Sequence, residues 1–257
     1  MNAKETWIAF LTIVVREVRR FMRIWVQTLL PPAITMALYF VIFGNLIGTR
    51  IGEMGGYDYM QYIVPGLVMM AVITNAYANV VSSFFSIKFQ HSIEELLVSP
   101  VPNYVILTGF VAGGVLRGLM VGGIVTILSL FFTHMAVHHI GIMLLVVTLT
   151  AVVFSLGGFI NAIYASKFDD ISIVPTFVLT PLTYFGGVFY SINLLPPFWQ
   201  TVSLANPIVY MVNAYRYGIL GVSDVSVGLS LGLLTLFAVG LYVWAITLLD
   251  RGIGIRK

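Results

Sequence analysis

The sequence predicts an all-α polytopic membrane protein. Six transmembrane helices follow an N-terminal amphipathic interface helix, and re-entrant helices lie between spans five and six. Three observations predict this. Hydrophobic residues make up 59% of the 257 positions and charged residues only 9%. The few charges are clustered, with none between Arg23 and Arg50, Asp58 and Lys88, Asp170 and Arg216, or Asp224 and Asp250. An uncharged apolar run of about 20 residues is what a helix needs to cross a hydrocarbon core of about 30 Å. Finally, nearly all Lys and Arg fall on alternate loops, which fixes an orientation.

Residues 5–22 come first. Trp7, Leu11, Val14, Val15, Val18, Phe21 and Met22 recur at helical spacing, with Glu5, Thr12, Arg16, Glu17, Arg19, Arg20 and Arg23 filling the other face. A basic amphipathic helix of this kind lies in the interface plane. The apolar run beyond it is too long for a signal-peptide core and lacks a small-residue cleavage site. The first span is 24–48, where Pro31 and Pro32 predict a kink that membrane helices tolerate. A glycine-rich loop leads to the second span, 59–87. The third span is 104–132, the fourth 140–165, the fifth 171–190 and the sixth 225–249.

Placing the N-terminus in the cytoplasm puts Lys4, Arg16, Arg19, Arg20, Arg23, Lys88, Lys167, Arg251, Arg256 and Lys257 inside and leaves only Arg50 and Arg216 outside. Both ends are therefore expected in the cytoplasm. Trp7 and Trp25 mark one interface; Tyr57, Tyr59, Tyr184, Tyr190 and Trp199 mark the other. The net charge of +3 comes from these flanking residues, so the reading includes membrane lipid and no nucleic acid. There are no cysteines, which excludes disulfides.

Residues 191–222 are too apolar for a free outer loop, yet Pro196, Pro197, Pro207, Asn193 and Asn206 break any single spanning helix. A pair of short helices dipping into the outer leaflet fits, and such backbone is allowed at depth only where protein buries it.

The interruption at 88–103, KFQHSIEELLVSPVPN, carries the sharpest local signal. Ser92 followed by Glu95 has the capping-box pattern, Ile93, Leu96 and Leu97 form an apolar face, and Pro100 and Pro102 end the helix. A helix over 92–99 is too short to stand alone, so it is either a docking element or an inert connector.

Polar stripes mark two spans: Asn75, Asn79, Ser82, Ser83 and Ser86 in the second, and Ser172, Thr176, Thr180 and Thr183 in the fifth. They line a path or bond helix to helix. Gly109, Gly113, Gly114, Gly118 and Gly122 in the third span are spaced for close helix approach. Arg117 is the one intramembrane charge, a functional candidate by default that also reads as snorkelling to the cytoplasmic side. His134, His138 and His139 lack further ligands at metal spacing and read as a solvated turn rather than a metal site. Arg216 and Asp224 flank the outer end of the last span and are expected to pair.

Five pieces in order resemble the permease subunits of type-2 ABC transporters: YIVPGL, IEELLVSPVP, VLRGLM, PLTYFGGVFYSINLLPPFW and LANPIVYMVNAYRYGILG. The resemblance runs along essentially the whole of residues 1–257 as one transmembrane domain, and is strongest to inner-membrane transport permeases of Gram-negative bacteria. It implies the type-2 ABC exporter fold, with 5–22 as a connecting helix and 92–99 as a coupling helix. Ile93, Glu94, Glu95, Leu96 and Leu97 would then contact a separate ATPase, with Lys167, Asp169 and Asp170 as a second cytoplasmic contact. It also implies a permease dimer, here a homodimer, bound to two copies of that ATPase in the inner membrane. Asn75, Asn79, Ser82, Thr176, Thr180 and Thr183 would border the translocation path.

The chain has no GxxxxGK[ST] phosphate loop. No cofactor is expected in it, and ATP and Mg would be held by the ATPase. The expected substrate is amphipathic or lipid-like and moves outward. A lipid-linked polysaccharide is the alternative within transport. An ion-coupled carrier would need carboxylates within the spans, and all Asp and Glu lie in loops or at span ends. An enzyme would need a nucleophile–base or metal constellation, which is missing.

Overall fold

The computed structural model describes residues 2–254, apart from the side chains of Asn45, Leu96 and Leu97. Arg256 and Lys257, used in the orientation argument, lie outside the described residues. Among the described residues five helices are long and apolar enough to cross a membrane.

Helix α1 (Ala3–Arg23) turns at Ile24 into α2 (Trp25–Ile51). The corner is tied by Thr28, whose hydroxyl donates to the Phe21 carbonyl at 2.9 Å. Pro31 and Pro32 do not kink the middle of a helix. The chain breaks at Leu29 and restarts with both prolines in the first turn of Leu30–Tyr39, where a missing N–H costs nothing. A π-helical stretch, Phe40–Ile47, follows.

The glycine-rich loop forms a minimal hairpin, β1 (Glu53–Met54) against β2 (Tyr57–Asp58). Gly55 and Gly56 at its tip have φ of +62° and +82°, which two-residue hairpins require. This small departure from an all-helical reading comes from local turn chemistry.

Helix α3 (Tyr59–Phe89) is the buried axis of the molecule and packs along α5 (Asn103–Ser129) and α6 (Ile140–Tyr164). Between α3 and α5 stands the short α4 (Ile93–Val98). The α3–α5 approach depends on the predicted glycines. A Cβ at Gly114 would lie 2.4 Å from both Val80 Cγ2 and Ser155 Oγ, and one at Gly118 would lie 3.0 Å from Ala76. Phe84, Phe110 and Phe159 fill the centre, with ring centroids 4.2–6.1 Å apart.

The next passage differs from the expected 171–190 helix. It is three consecutive five-residue pieces, Asp170–Val174, a π-helical Pro175–Leu179 and Thr180–Tyr184, taken together as α7. At 1.5 Å per residue it measures about 22 Å, shorter than a hydrocarbon core of about 30 Å, and a turn at 185–190 follows. That turn is pressed onto α3, where a Cβ at Gly66 would lie 2.6 Å from the Val188 carbonyl oxygen.

A 3-10 turn, Ile192–Leu194, precedes α8 (Pro197–Leu204) and α9 (Pro207–Leu220). Asn206, between them, donates to the Leu182 carbonyl in the last turn of α7 and caps α9 by accepting from Ile208 N–H. The end of α9 meets His138 and His139 at the far end of the bundle. Helix α10 (Val227–Arg251) closes the fold, and its Asp250 accepts from Asn103 at the start of α5, at 2.7 Å. The start of α5 and the end of α10 therefore share one end of the bundle with α1 and α4, while residues 185–226 occupy the other.

Candidate functional site: two polar nodes at opposite ends of the bundle

At the α1 end, Glu17 is buried, with 1% of its side chain exposed. The sequence reading placed it on the polar face; the structure turns it inward, because Gly113 on α5 leaves room only for close contact. A Cβ there would lie 2.6 Å from Glu17 Cβ. One Glu17 carboxylate oxygen accepts from Ser83 Oγ at 2.7 Å, and the other accepts from Arg20 at 3.3 Å. Arg20 also donates to the Asn79 carbonyl and to Asn79 Oδ1, at 2.9 and 2.8 Å. Arg16 lies 3.6 Å from Glu17 and over the Phe110 ring.

Higher in the same seam, Arg117 donates to Asn75 Oδ1 and to the Thr28 carbonyl, at 3.2 and 3.3 Å. It bonds within the protein and links α5, α3 and α2, instead of reaching past them to the interface. Asn75 and Asn79 are both buried and held by these arginines, so neither amide faces an open surface of the chain. Ser82 is half-buried and donates to the Ala78 and Asn79 carbonyls. On α7, Thr176 and Thr180 are exposed, while Thr183 is buried and bonded to the Leu179 carbonyl.

Helix α4 stands at this same end. Its start is set by His91, a non-glycine residue at φ +60°, whose carbonyl accepts from Glu94 N–H. The expected capping box is absent, because Ser92 is in helical conformation and its side chain makes no cap bond. Ile93 is buried, whereas Glu94 and Glu95 are exposed and Val98 is 87% exposed. The side chains of Leu96 and Leu97 lie outside the described residues.

The loop before α7 sits beside the end of α3. Phe168, which the sequence reading passed over, packs against Phe85 and Phe89 at 4.9 Å from each. Lys88 caps α6 by donating to the Ile163 and Ala165 carbonyls, a favourable place for a cation at a helix C-terminus. Asp170 accepts from Ser166 and Lys167 N–H, at 2.8 and 3.0 Å, and these bonds hold its carboxyl below the usual carboxylate range. Lys167 and Asp169 are exposed.

At the opposite end Arg216 is fully buried within the protein. It donates to the Gly187 and Tyr62 carbonyls and to Asn213 Oδ1, and stacks 4.0 Å over the Tyr62 ring. The expected pairing with Asp224 is indirect, since Asn213 Oδ1 also accepts from Asp224 N–H. Asp224 itself accepts from Ser191 Oγ, Ile192 N–H, Asn193 Nδ2 and Tyr62 OH. It thereby clamps the two ends of the α8–α9 hairpin together. His138 and His139 pack on Tyr217, and among the described residues no group of three His, Cys, Asp or Glu is placed to hold a metal.

The ABC-2 type transporter family matches residues 8–220, from α1 to the end of α9. The chain is 61% identical over 251 residues to the inner membrane transport permease YadH of Escherichia coli K12, covering 98% of each chain. It is also 23% identical over 215 residues to nodulation protein J of Rhizobium meliloti, covering 83% of this chain and 82% of that one. The chain belongs to the ABC-2 type transporter family and is a transport permease, the membrane subunit of an ABC transporter.

Proposed function

We propose that this permease exports an amphipathic or lipid-like substrate across the inner membrane, powered by ATP hydrolysed on two copies of a separate ATPase, with Mg bound there as well. The family implies an ABC ATPase partner. The observation that carries the reading is α4, in which, among the described side chains, Ile93 is buried while Glu94, Glu95 and Val98 are exposed. A six-residue helix is unstable without support, so a surface of another subunit is its natural complement. The loop at Lys167, Asp169 and Asp170 is the second contact. Helix α1 is the connecting helix, tied to α3 and α5 through Glu17 and Arg20.

The proposed topology has six passages, with α7 and the following turn as the fifth. The α8–α9 hairpin re-enters from the outer side, and both ends of the chain lie in the cytoplasm of the inner membrane, where the 61% identical relative is named as residing. A second copy of the chain forms a homodimer. The central path is bordered by the exposed face of α7 at Thr176 and Thr180, since Asn75 and Asn79 are engaged inside the protomer.

The test is the double variant Glu94→Lys and Glu95→Lys, reconstituted with its ATPase. It should insert normally but lose substrate-stimulated ATP hydrolysis and transport. Unchanged stimulation and export, or transport by the parent without ATP, would count against the reading.

A further inference from the structure

An open cleft of about 1210 Å³ runs between α1, the end of α3 and α4. Its walls are of two kinds. Leu11, Val15 and Ile24, each 40–43% exposed, give an apolar side. Arg16, Arg19, Arg20 and Arg23 give a cationic side. Arg16 and Arg20 are committed to Glu17, Asn79 and Phe110. Arg19 and Arg23 are exposed, and among the described residues they make no hydrogen bond or ion pair. They sit four residues apart, on one face of α1. The single carboxylate on the opposite wall is Glu95.

We propose that this cleft is a binding site for the phosphate headgroup of an anionic membrane lipid, with Arg19 and Arg23 taking the phosphate and the apolar wall taking the glycerol and upper acyl chains. Trp7 and Trp25, 59% and 54% exposed near the two ends of α1, mark the helix as lying at headgroup level, where tryptophan concentrates. A guanidinium presents paired donors to phosphate oxygens. An acidic surface of the ATPase would match the charges but not the apolar wall. If the Proposed function holds, this is where an anionic lipid substrate first meets the permease; the lipid site itself does not depend on that reading.

The test measures lipid binding by the full-length chain in phosphatidylcholine nanodiscs doped with phosphatidylglycerol, read by native mass spectrometry and by lipid titration, with no ATPase present. The parent should select phosphatidylglycerol. The double variant Arg19→Gln and Arg23→Gln should lose about thirtyfold in affinity, about fivefold for each cation near an anionic headgroup. The variant Arg19→Lys and Arg23→Lys should recover much of it, and Arg50→Gln at the far end of α2 should change nothing.

Equal binding of phosphatidylcholine by the parent, or undiminished phosphatidylglycerol binding by the glutamine variant, would overturn the site. Competition by soluble glycerol phosphate at matching concentration would make it a site for free phosphate compounds instead. In a separate pull-down with the ATPase subunit, a glutamine variant that keeps its lipid preference but no longer captures that subunit would assign the arginines to it instead. Because these measurements use neither ATP nor transport, their failure is separate from failure of the exporter reading.

Discussion

The two ends of the bundle each bury a charged side chain, but they satisfy it differently. At the α9 end all three guanidinium nitrogens of Arg216 have acceptors, and Asp224 collects four donors. At the α1 end Glu17 is fully engaged, but Arg20 Nε, Asn79 Nδ2 and Arg117 Nε are buried without a hydrogen-bond partner, and a large cleft opens beside them. A closed network specifies one arrangement, whereas a partly satisfied one leaves alternatives close in energy. The Arg216–Asp224 node holds the ends of the α8–α9 hairpin together. On the proposed exporter reading, the Glu17 node would be the junction that shifts when α1 and α4 are pushed.

The largest effect should come from breaking the closed node. Arg216→Met leaves the Gly187 and Tyr62 carbonyls and Asn213 without their donor, and should cost on the order of 3 kcal/mol. Thermal unfolding of the detergent-solubilised permease would show it as a large drop in midpoint. A midpoint close to that of the parent would remove the distinction between the two nodes.

At the open node Glu17→Ala should cost less, roughly 2 kcal/mol for the lost charge-assisted bonds. It should also lower transport per ATP hydrolysed, because α1 then moves without dragging α3. The ratio of transport to hydrolysis in proteoliposomes is the readout. If Arg216→Met lowered that ratio more than Glu17→Ala did, the assignment of roles would be reversed.

A finer test uses two glycines of α5. Gly113→Ala would drive a methyl into Glu17 Cβ and should destabilise by about 1–3 kcal/mol. Gly123→Ala meets nothing within 4 Å and should be neutral or stabilising by up to about 1 kcal/mol. Equal midpoints for the two would show that α1 is not seated tightly on α5.

Much of the fold was legible because charge gaps report spans directly, and the glycine spacing in α5 reported the close helix approach. The sites were harder to read. Glu17 looked polar-facing because helical periodicity ranks a carboxylate by type, and only the hole left by Gly113 turns it inward. Asn75 and Asn79 were open to both readings, path lining or helix-to-helix bonds, because a stripe on one helix does not reveal that Arg117 and Arg20 on other helices answer it. The buried position of Arg216 depends on Gly187, Tyr62 and Asn213, which are far apart in sequence. Phe168 carried no signal beyond being a single aromatic in a charged loop, and it stays half exposed while its ring meets Phe85 and Phe89.

The smallest expected effect is at Asp170, the first residue of α7, and it sharpens how rigid the α1 end is beyond α1 itself. Its carboxylate is held by Ser166 and Lys167 N–H, and these bonds lower its pKa below the usual carboxylate range. A depressed carboxyl contributes to folding above its unfolded value and loses that contribution as pH falls through the folded value. The loop should therefore be indifferent to pH from neutrality down to about 5 and should loosen only in stronger acid. Asp170→Asn should behave at neutral pH as the parent does in acid. Hydrogen exchange at the Ser166 and Lys167 amides would read this, speeding up in the variant with no shift in the unfolding midpoint. Exchange unchanged by the substitution would mean that Phe168, wedged against Phe85 and Phe89, holds the loop without help from the carboxylate, and that this part of the α1 end is as fixed as the Arg216 node opposite.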